Sequence, residues 1–323
     1  MSTPILRARG LRRTFPSSTP GGPPVVAVDD IDLEIQPGEI VGLVGESGSG
    51  KTTLGKVLLR IVEPQDGALH LGDTDLRALD ATQLRAARRR MQMVYQSASA
   101  SLNPGMTVVE HLAETIWLHR PDLRADAGRV IEETLARFRL QGRGDRRPHE
   151  LSGGERRRIG VARCLLPDPD LVIADEPTAG LDASVKADVL QVMLEARRPD
   201  QAWIFISHEL DVVRYVSDRV LVMYRGSIVE EMPADHLDPR AAGQTGHPYT
   251  QRLLSTGLGR DEAPISAARR AHAPAGCRYA SACHAVQPGT DLWSRCSSAA
   301  PELVTVGSGH RLACHGRTPA LES

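Results

Sequence analysis

The stretch Gly45-Glu46-Ser47-Gly48-Ser49-Gly50-Lys51-Thr52 constrains this chain more than any other. It matches the G-x-x-x-x-G-K-[ST] pattern in full, the P-loop signature. Glycines at these places let the backbone curl tightly and approach a phosphate closely. The apolar run Ile40 to Val44 leads in, and a helical stretch from about Lys51 to Val62 leads out. The curl therefore sits between a buried strand and a helix N-terminus, where bare N–H groups and the positive end of the helix favour an anion. In this setting Lys51 reaches the β- and γ-phosphates of a nucleoside triphosphate, Thr52 ligates Mg²⁺, and Thr53 extends the cradle. The lysine is conspicuous because nearly all other basic residues are arginine; only Lys51, Lys56 and Lys186 are lysines.

A second apolar run, Leu171-Val172-Ile173-Ala174, ends in Asp175-Glu176. A strand that delivers two carboxylates to the C-terminal edge of a sheet places them where ligands bind in α/β folds. Asp175 is expected to hold Mg²⁺ through water and Glu176 to orient and deprotonate the attacking water. Further strands are expected at 25–35, Met91 to Gln96, Trp203 to Ile206 and Val220 to Tyr224, with helices at Ala183 to Arg197 and Glu209 to Ser217. The alternation argues for an α/β fold with a mostly parallel sheet. Residues from about 105 to 165 read as helical, and beyond about Met232 the chain turns rich in Pro, Gly, His and Ala.

Leu151-Ser152-Gly153-Gly154-Glu155 opens a helix with a second potential anion cradle. Two phosphate cradles in one chain make sense if two chains trap nucleotide between them. In this order along the chain (P-loop 45–52, Gln96, 151–155, Asp175-Glu176, Asp182, His208), the motifs resemble those of ABC transporter ATPases. The resemblance implies a RecA-like P-loop core, an antiparallel β subdomain, an inserted helical subdomain at about 97–165 and a small C-terminal Cys-rich extension. The ATPase domain is expected over 1–235 and the extension over 236–323. It also implies that Gln96 touches Mg²⁺ and water and that His208 meets the γ-phosphate. Phe15 stacks on adenine, Asp182 reaches across a dimer, and Ser152, Gly153 and Gly154 close over the ATP of a partner subunit. The runs Arg88-Arg89-Arg90 and Arg156-Arg157-Arg158 read as solvated helix faces.

Ser101-Leu102-Asn103-Pro104, Gly246-His247-Pro248-Tyr249-Thr250-Gln251 and the cysteine-bearing tail resemble the peptide and nickel importer branch of that family. The resemblance is to the second ATPase of an oligopeptide/dipeptide importer, with nickel or another small solute as the alternative cargo. The implied partners are a second ATPase subunit, two transmembrane permease subunits and an extracytoplasmic solute-binding protein, at the cytoplasmic face of the cell membrane. Glu155 replaces the family's usual Gln, Ser97-Ala98 its Asp-Pro, and Ala179-Gly180 its Ser-Ala. No run of 18 apolar residues exists to span a bilayer, and the net charge of −1 gives no global pull toward nucleic acid. A soluble ABC ATPase acting on nucleic acid or ribosomes is the rival of another class; a single P-loop without sustained heptads speaks against it. Four of the five cysteines, Cys277, Cys283, Cys296 and Cys314, cluster late in the chain. The resemblance implies a [4Fe–4S] cluster on them. Zn²⁺, with His310 or His315 as substitutes, and four unrelated thiols remain open beside it.

Overall fold

The computed structural model describes residues 3–17, 20–96, 102–238, 246–257 and 276–317. Ser97, Ala98 and Ser101, singled out above, lie outside these described residues. The chain divides into two compact units, one of residues 8–33, 40–68 and 205–323, the other of 1–7, 34–39 and 69–204.

The first of these holds the phosphate loop. Before the loop lie β1 (Leu6–Phe15), β2 (Val25–Ile35) and then β3 (Ile40–Val44), whose five residues are all buried. Helix α1 (Lys51–Leu58) follows the loop, and β4 (Asp66–Leu71) comes after it. The helix stops short of Val62 because the chain turns out at Arg60, which takes a positive φ of 50°. Strand β3 runs parallel to β9 (Arg219–Tyr224), Val41 opposite Arg219 and Val44 opposite Val222. The N–H of Ile40 donates to Asp218 Oδ2 at 2.7 Å, and the Asp218 N–H donates to Ile40 O at 2.8 Å, which fixes this register. Gly42 in mid-β3 admits a helix on the sheet face, since a Cβ there would meet Val213 Cγ1 at 2.4 Å.

Strand β9 turns through Arg225 and Gly226 into antiparallel β10 (Ser227–Pro233). Strand β12 (His310–Leu312) adds to β10, with Glu230 opposite Leu312, and β11 (Val304–Gly307) pairs with β12. Residues 304–312 therefore continue the same sheet by main-chain hydrogen bonding.

In the other unit a short β5 (Thr74–Asp75) precedes β6 (Met91–Val94), which runs parallel to the fully buried β7 (Leu171–Asp175), Met91 opposite Leu171 and Val94 opposite Ala174. Between them come the helical segments. Two are α2 (Ala81–Ala87) and α3 (Val108–His119); the latter starts at a Thr107–Glu110 capping box. They are followed by α4 (Ala127–Arg137) and α5 (Gly153–Leu165). Helix α6 (Ala183–Glu195) follows β7 and packs on α5. Among the described residues, no helix is long and apolar enough to cross a membrane.

Candidate functional site

The phosphate loop is held shut on one side and open on the other. Gly45 and Gly50 have φ of 152° and 109°, and a Cβ on them would come within 2.2 Å of Met223 O and 2.1 Å of Ala27 O. No other residue fits there. Gly48, at φ 80°, has nothing within 4 Å of its missing Cβ. Ser47, Gly48 and Thr52 are exposed, whereas Lys51 is only 8% exposed. The Lys51 ammonium donates to Gly45 O at 2.7 Å and Glu46 O at 2.9 Å, so it lies across the curl of its own loop. A recessed cation beneath a glycine-rich curl whose outer side is exposed fits a polyphosphate. The same unit places Phe15 at the end of β1, with the Arg13 guanidinium 4.7 Å from its ring centroid. It also places His208, exposed, two residues beyond β8 (Ala202–Ile206).

The other unit carries the remaining candidates. Asp175, 4% exposed, ends β7. Glu176 follows with φ of 48°, a left-handed conformation that costs a non-glycine residue energy and often marks a functional position. The turn is held by the Ala179 N–H donating to Glu176 O at 3.1 Å. Asp182 occupies the N-cap of α6 with extended backbone, but its carboxylate makes no cap hydrogen bond.

Ser152 caps α5. Its Oγ accepts the Glu155 N–H at 3.2 Å, and its own N–H donates to Glu155 Oε2 at 2.8 Å. Arg143 donates to the other Glu155 oxygen at 2.7 Å, and this bond is the main reason the Glu155 carboxyl is pulled down to about 2. The departure from the family's Gln thus has a local purpose: an ionised, doubly bonded cap. Ser152 and Gly153 are exposed, but Gly154 is buried and a Cβ on it would meet Val185 Cγ1 at 2.6 Å. Gly154 is a packing glycine where α5 meets α6.

Comparisons with known proteins identify the family. The family model for ABC transporters matches residues 28–179. OppF of Bacillus subtilis (strain 168), an oligopeptide transport ATP-binding protein, is 41% identical over 259 residues, 79% of this chain and 83% of that one. AppF of the same organism, also an oligopeptide transport ATP-binding protein, is 36% identical over 304 residues, 90% of this chain and 89% of that one. The chain belongs to the ABC transporter ATP-binding family. The solved dimeric structure of MJ0796, a bacterial ABC transporter cassette, superposes with a TM-score of 0.62 at 25% identity. It covers 71% of this chain and 99% of that one. The RecA-like P-loop fold and an ABC ATPase activity that uses ATP and Mg²⁺ follow from this membership.

Two expectations for this ABC ATPase are corrected. The iron–sulfur cluster on Cys277, Cys283, Cys296 and Cys314, and its zinc alternative, are not borne out. Among the described residues, no three His, Cys, Asp or Glu side chains form a group that could hold a metal ion. None of the four is joined in a disulfide among the described residues. Burial pushes Cys283 up to about 11 and Cys296 up to about 12, and raises Cys277 and Cys314 as well. Thiols so raised stay neutral and pack as small hydrophobes. The candidate histidines are engaged elsewhere: His310 Nε2 lies 2.7 Å from Glu230 Oε1, and His315 Nε2 lies 3.0 Å from Ala299 O. Strand pairing of β12 on β10 and the packing of Tyr224, Tyr249 and Tyr279 fasten the extension.

The second correction concerns Arg156-Arg157-Arg158, which is not a solvated face. Arg156 donates to Pro148 O and Leu151 O at 3.1 and 2.8 Å, and Arg158 pairs with Asp188. Arg157 is 5% exposed and donates to three carbonyls: Tyr95 at 3.0 Å, Gln96 at 2.5 Å and Ala179 at 3.1 Å. It ties the Gln96 segment to the turn after Glu176. Arg157→Met, which keeps most of the apolar stem, is expected to lower unfolding free energy by about 2–4 kcal/mol, because it orphans three carbonyls. Urea denaturation checks this, and an unchanged midpoint and slope would count against the tie. The run Arg88-Arg89-Arg90 is exposed, as expected.

Proposed function

We propose that this ABC ATPase drives peptide uptake, hydrolysing ATP as one half of a head-to-tail ATPase dimer. The observation that carries the reading is the recessed Lys51 ammonium inside an open glycine curl. The cargo rests on the relatives, since OppF and AppF are oligopeptide transport proteins.

Each residue then has one task. The loop from Gly45 to Thr53 binds the triphosphate through its N–H groups, and Lys51 neutralises the β- and γ-phosphates. Thr52, Asp175 and Gln96 each offer a hard oxygen donor of the kind Mg²⁺ takes. Mg²⁺, when bound, screens phosphate charge and so makes the γ-phosphorus easier to attack. Glu176 takes the proton of the attacking water, and His208 serves the γ-phosphate. Ser152 and Gly153 donate to the partner's nucleotide, and Asp182 reaches toward the partner. MJ0796, the dimeric relative, supports this pairing.

The partners are a second ATPase subunit, two permease subunits and an extracytoplasmic binding protein, with this chain on the cytoplasmic face. A cleft of about 300 Å³ beside α3 and α5 supports the permease contact: Tyr95, Leu118, His119 and Arg163 line it. Trp117 and Leu118 are 57% and 53% exposed on α3, unusual for large apolar side chains unless a partner covers them. In vesicles holding the assembled transporter, peptide-loaded binding protein is expected to stimulate ATPase several-fold and peptide to accumulate with ATP. Stimulation by a nickel chelate but not by peptide would overturn the cargo.

A further inference from the structure

The motif Gly246-His247-Pro248-Tyr249 takes no part in the nucleotide chemistry above, yet it ends on the phosphate loop. We infer that the C-terminal extension braces the loop in its nucleotide-receiving shape, with Tyr249 as the positioning residue. The inference rests on the ATP-binding reading of Lys51 and its loop.

The contact is direct. The Glu46 N–H, in the loop, donates to Tyr249 Oη at 2.7 Å, and Tyr249 is fully buried. Each residue before the tyrosine helps seat it. Gly246 has φ of 89°, and a Cβ there would meet Glu230 Oε1 at 2.7 Å, so only glycine lets the chain pass that carboxylate. The His247 N–H donates to Glu230 Oε2 at 3.0 Å, and His247 Nδ1 accepts the Tyr249 N–H at 3.0 Å. Burial pushes His247 down to about 4, which leaves Nδ1 a free lone pair for that bond at neutral pH. Pro248 begins α7 (Pro248–Gly257), the position where a missing N–H costs nothing. Glu230 lies in β10 with no exposure and is bonded from β12 by His310 at 2.7 Å. The Tyr249 ring is held between Tyr224 of β9 and Tyr279, with centroids 4.5 and 5.5 Å away.

The chain of contacts therefore runs from the terminal hairpin through Glu230, His247 and Tyr249 to the loop. Inside the loop the Ser49 N–H donates to Glu46 O at 3.1 Å and Lys51 donates to Gly45 O and Glu46 O, but these bonds tie the loop only to itself. An acceptor on the Glu46 N–H supplies one fixed point. Without it, part of the binding energy of nucleotide goes into reshaping the loop, and affinity falls while the chemistry, once nucleotide is bound, does not.

Tyr249→Phe keeps the ring and deletes only the acceptor. Tyr279→Phe deletes a hydroxyl from the same aromatic cluster and is the matched control. The full-length chain is titrated with a fluorescent ATP analogue, and the assembled transporter is assayed for steady-state ATPase. Tyr249→Phe is expected to raise the Kd and the KM for ATP about three- to tenfold, the effect of one buried hydrogen bond. Its kcat should stay within about twofold of wild type, and Tyr279→Phe should match wild type throughout. Unchanged affinity in Tyr249→Phe would overturn the brace. So would an equal loss in both variants, or a loss matched by a collapse of melting temperature, since either is plain destabilisation. Failure of the wild-type chain to bind the analogue would instead remove the ATP reading on which the brace depends.

Discussion

Glu176→Gln is expected to bind ATP with wild-type affinity while turnover falls about 10²- to 10⁴-fold, the usual worth of a positioned general base. The substitution changes one oxygen to an amide nitrogen and leaves size and backbone untouched, so the turn closed by the Ala179 N–H on Glu176 O persists. The left-handed φ of 48° at Glu176 is unfavourable for either side chain and is held by its surroundings: β7 is fully buried before it, and Thr178 is 1% exposed after it. The residue is thus set on a rigid support, and the variant removes the basic carboxylate. On the proposed reading, nucleotide affinity is supplied by the loop and Lys51, in other parts of the chain. Steady-state ATPase of the assembled transporter and equilibrium nucleotide binding together test the assignment. Normal turnover would refute it, and equal losses of binding and turnover would reassign Glu176 to a structural role.

The parts of this fold that announce themselves in sequence are those whose pattern is local. Strands β3, β7 and β8 are uninterrupted apolar runs because neighbours cover both faces, and the loop motif carries its own backbone requirement. Strand β10 was hidden because Ile228-Val229 is followed by Glu230-Glu231, which reads as a solvated end. Its burial depends on His310, 80 residues later, and no window of sequence joins the two. The arginine run after Ser152 misled for a different reason. Consecutive residues on a helix point in different directions, so three arginines in a row cannot share one face. Gly154, Arg157 and Val161 do share one, at i, i+3 and i+7, and all three are buried. That spacing beside a packing glycine was the available signal for a buried arginine. The cysteine spacings could not decide among cluster, zinc and plain thiols, because whether thiols form a ligand set depends on tertiary placement that spacing does not fix. The Gly-His-Pro-Tyr motif was visible as a pattern, but its bond to the Glu46 N–H lies 203 residues away in sequence.

Lys51→Ala should give the complementary defect: nucleotide affinity falling about 10- to 100-fold, with turnover lost at ordinary ATP concentrations. Charge-assisted hydrogen bonds contribute about 1.5–3 kcal/mol each, and about 1.4 kcal/mol is a decade in affinity. The lysine also shapes its own cradle. Its ammonium donates to Gly45 O and Glu46 O at 2.7 and 2.9 Å, which holds both carbonyls toward the recessed cation. Alanine removes the cation and that hold on the carbonyls together. Lys51→Arg should fail nearly as badly, because a planar guanidinium with a fixed fork does not fit a recess shaped around a compact ammonium only 8% exposed. A variant that merely lacked positive charge would be rescued by arginine; one that lacked the fitted donor would not. Isothermal calorimetry with ATP on wild type, Lys51→Ala and Lys51→Arg separates the two. Unchanged affinity in Lys51→Ala would count against the whole reading of the loop. Set against Glu176→Gln, the pair forms a double dissociation: one variant holds ATP without cleaving it, the other retains its base but scarcely holds ATP. Only a chain in which the loop binds and the strand-end carboxylate reacts produces both.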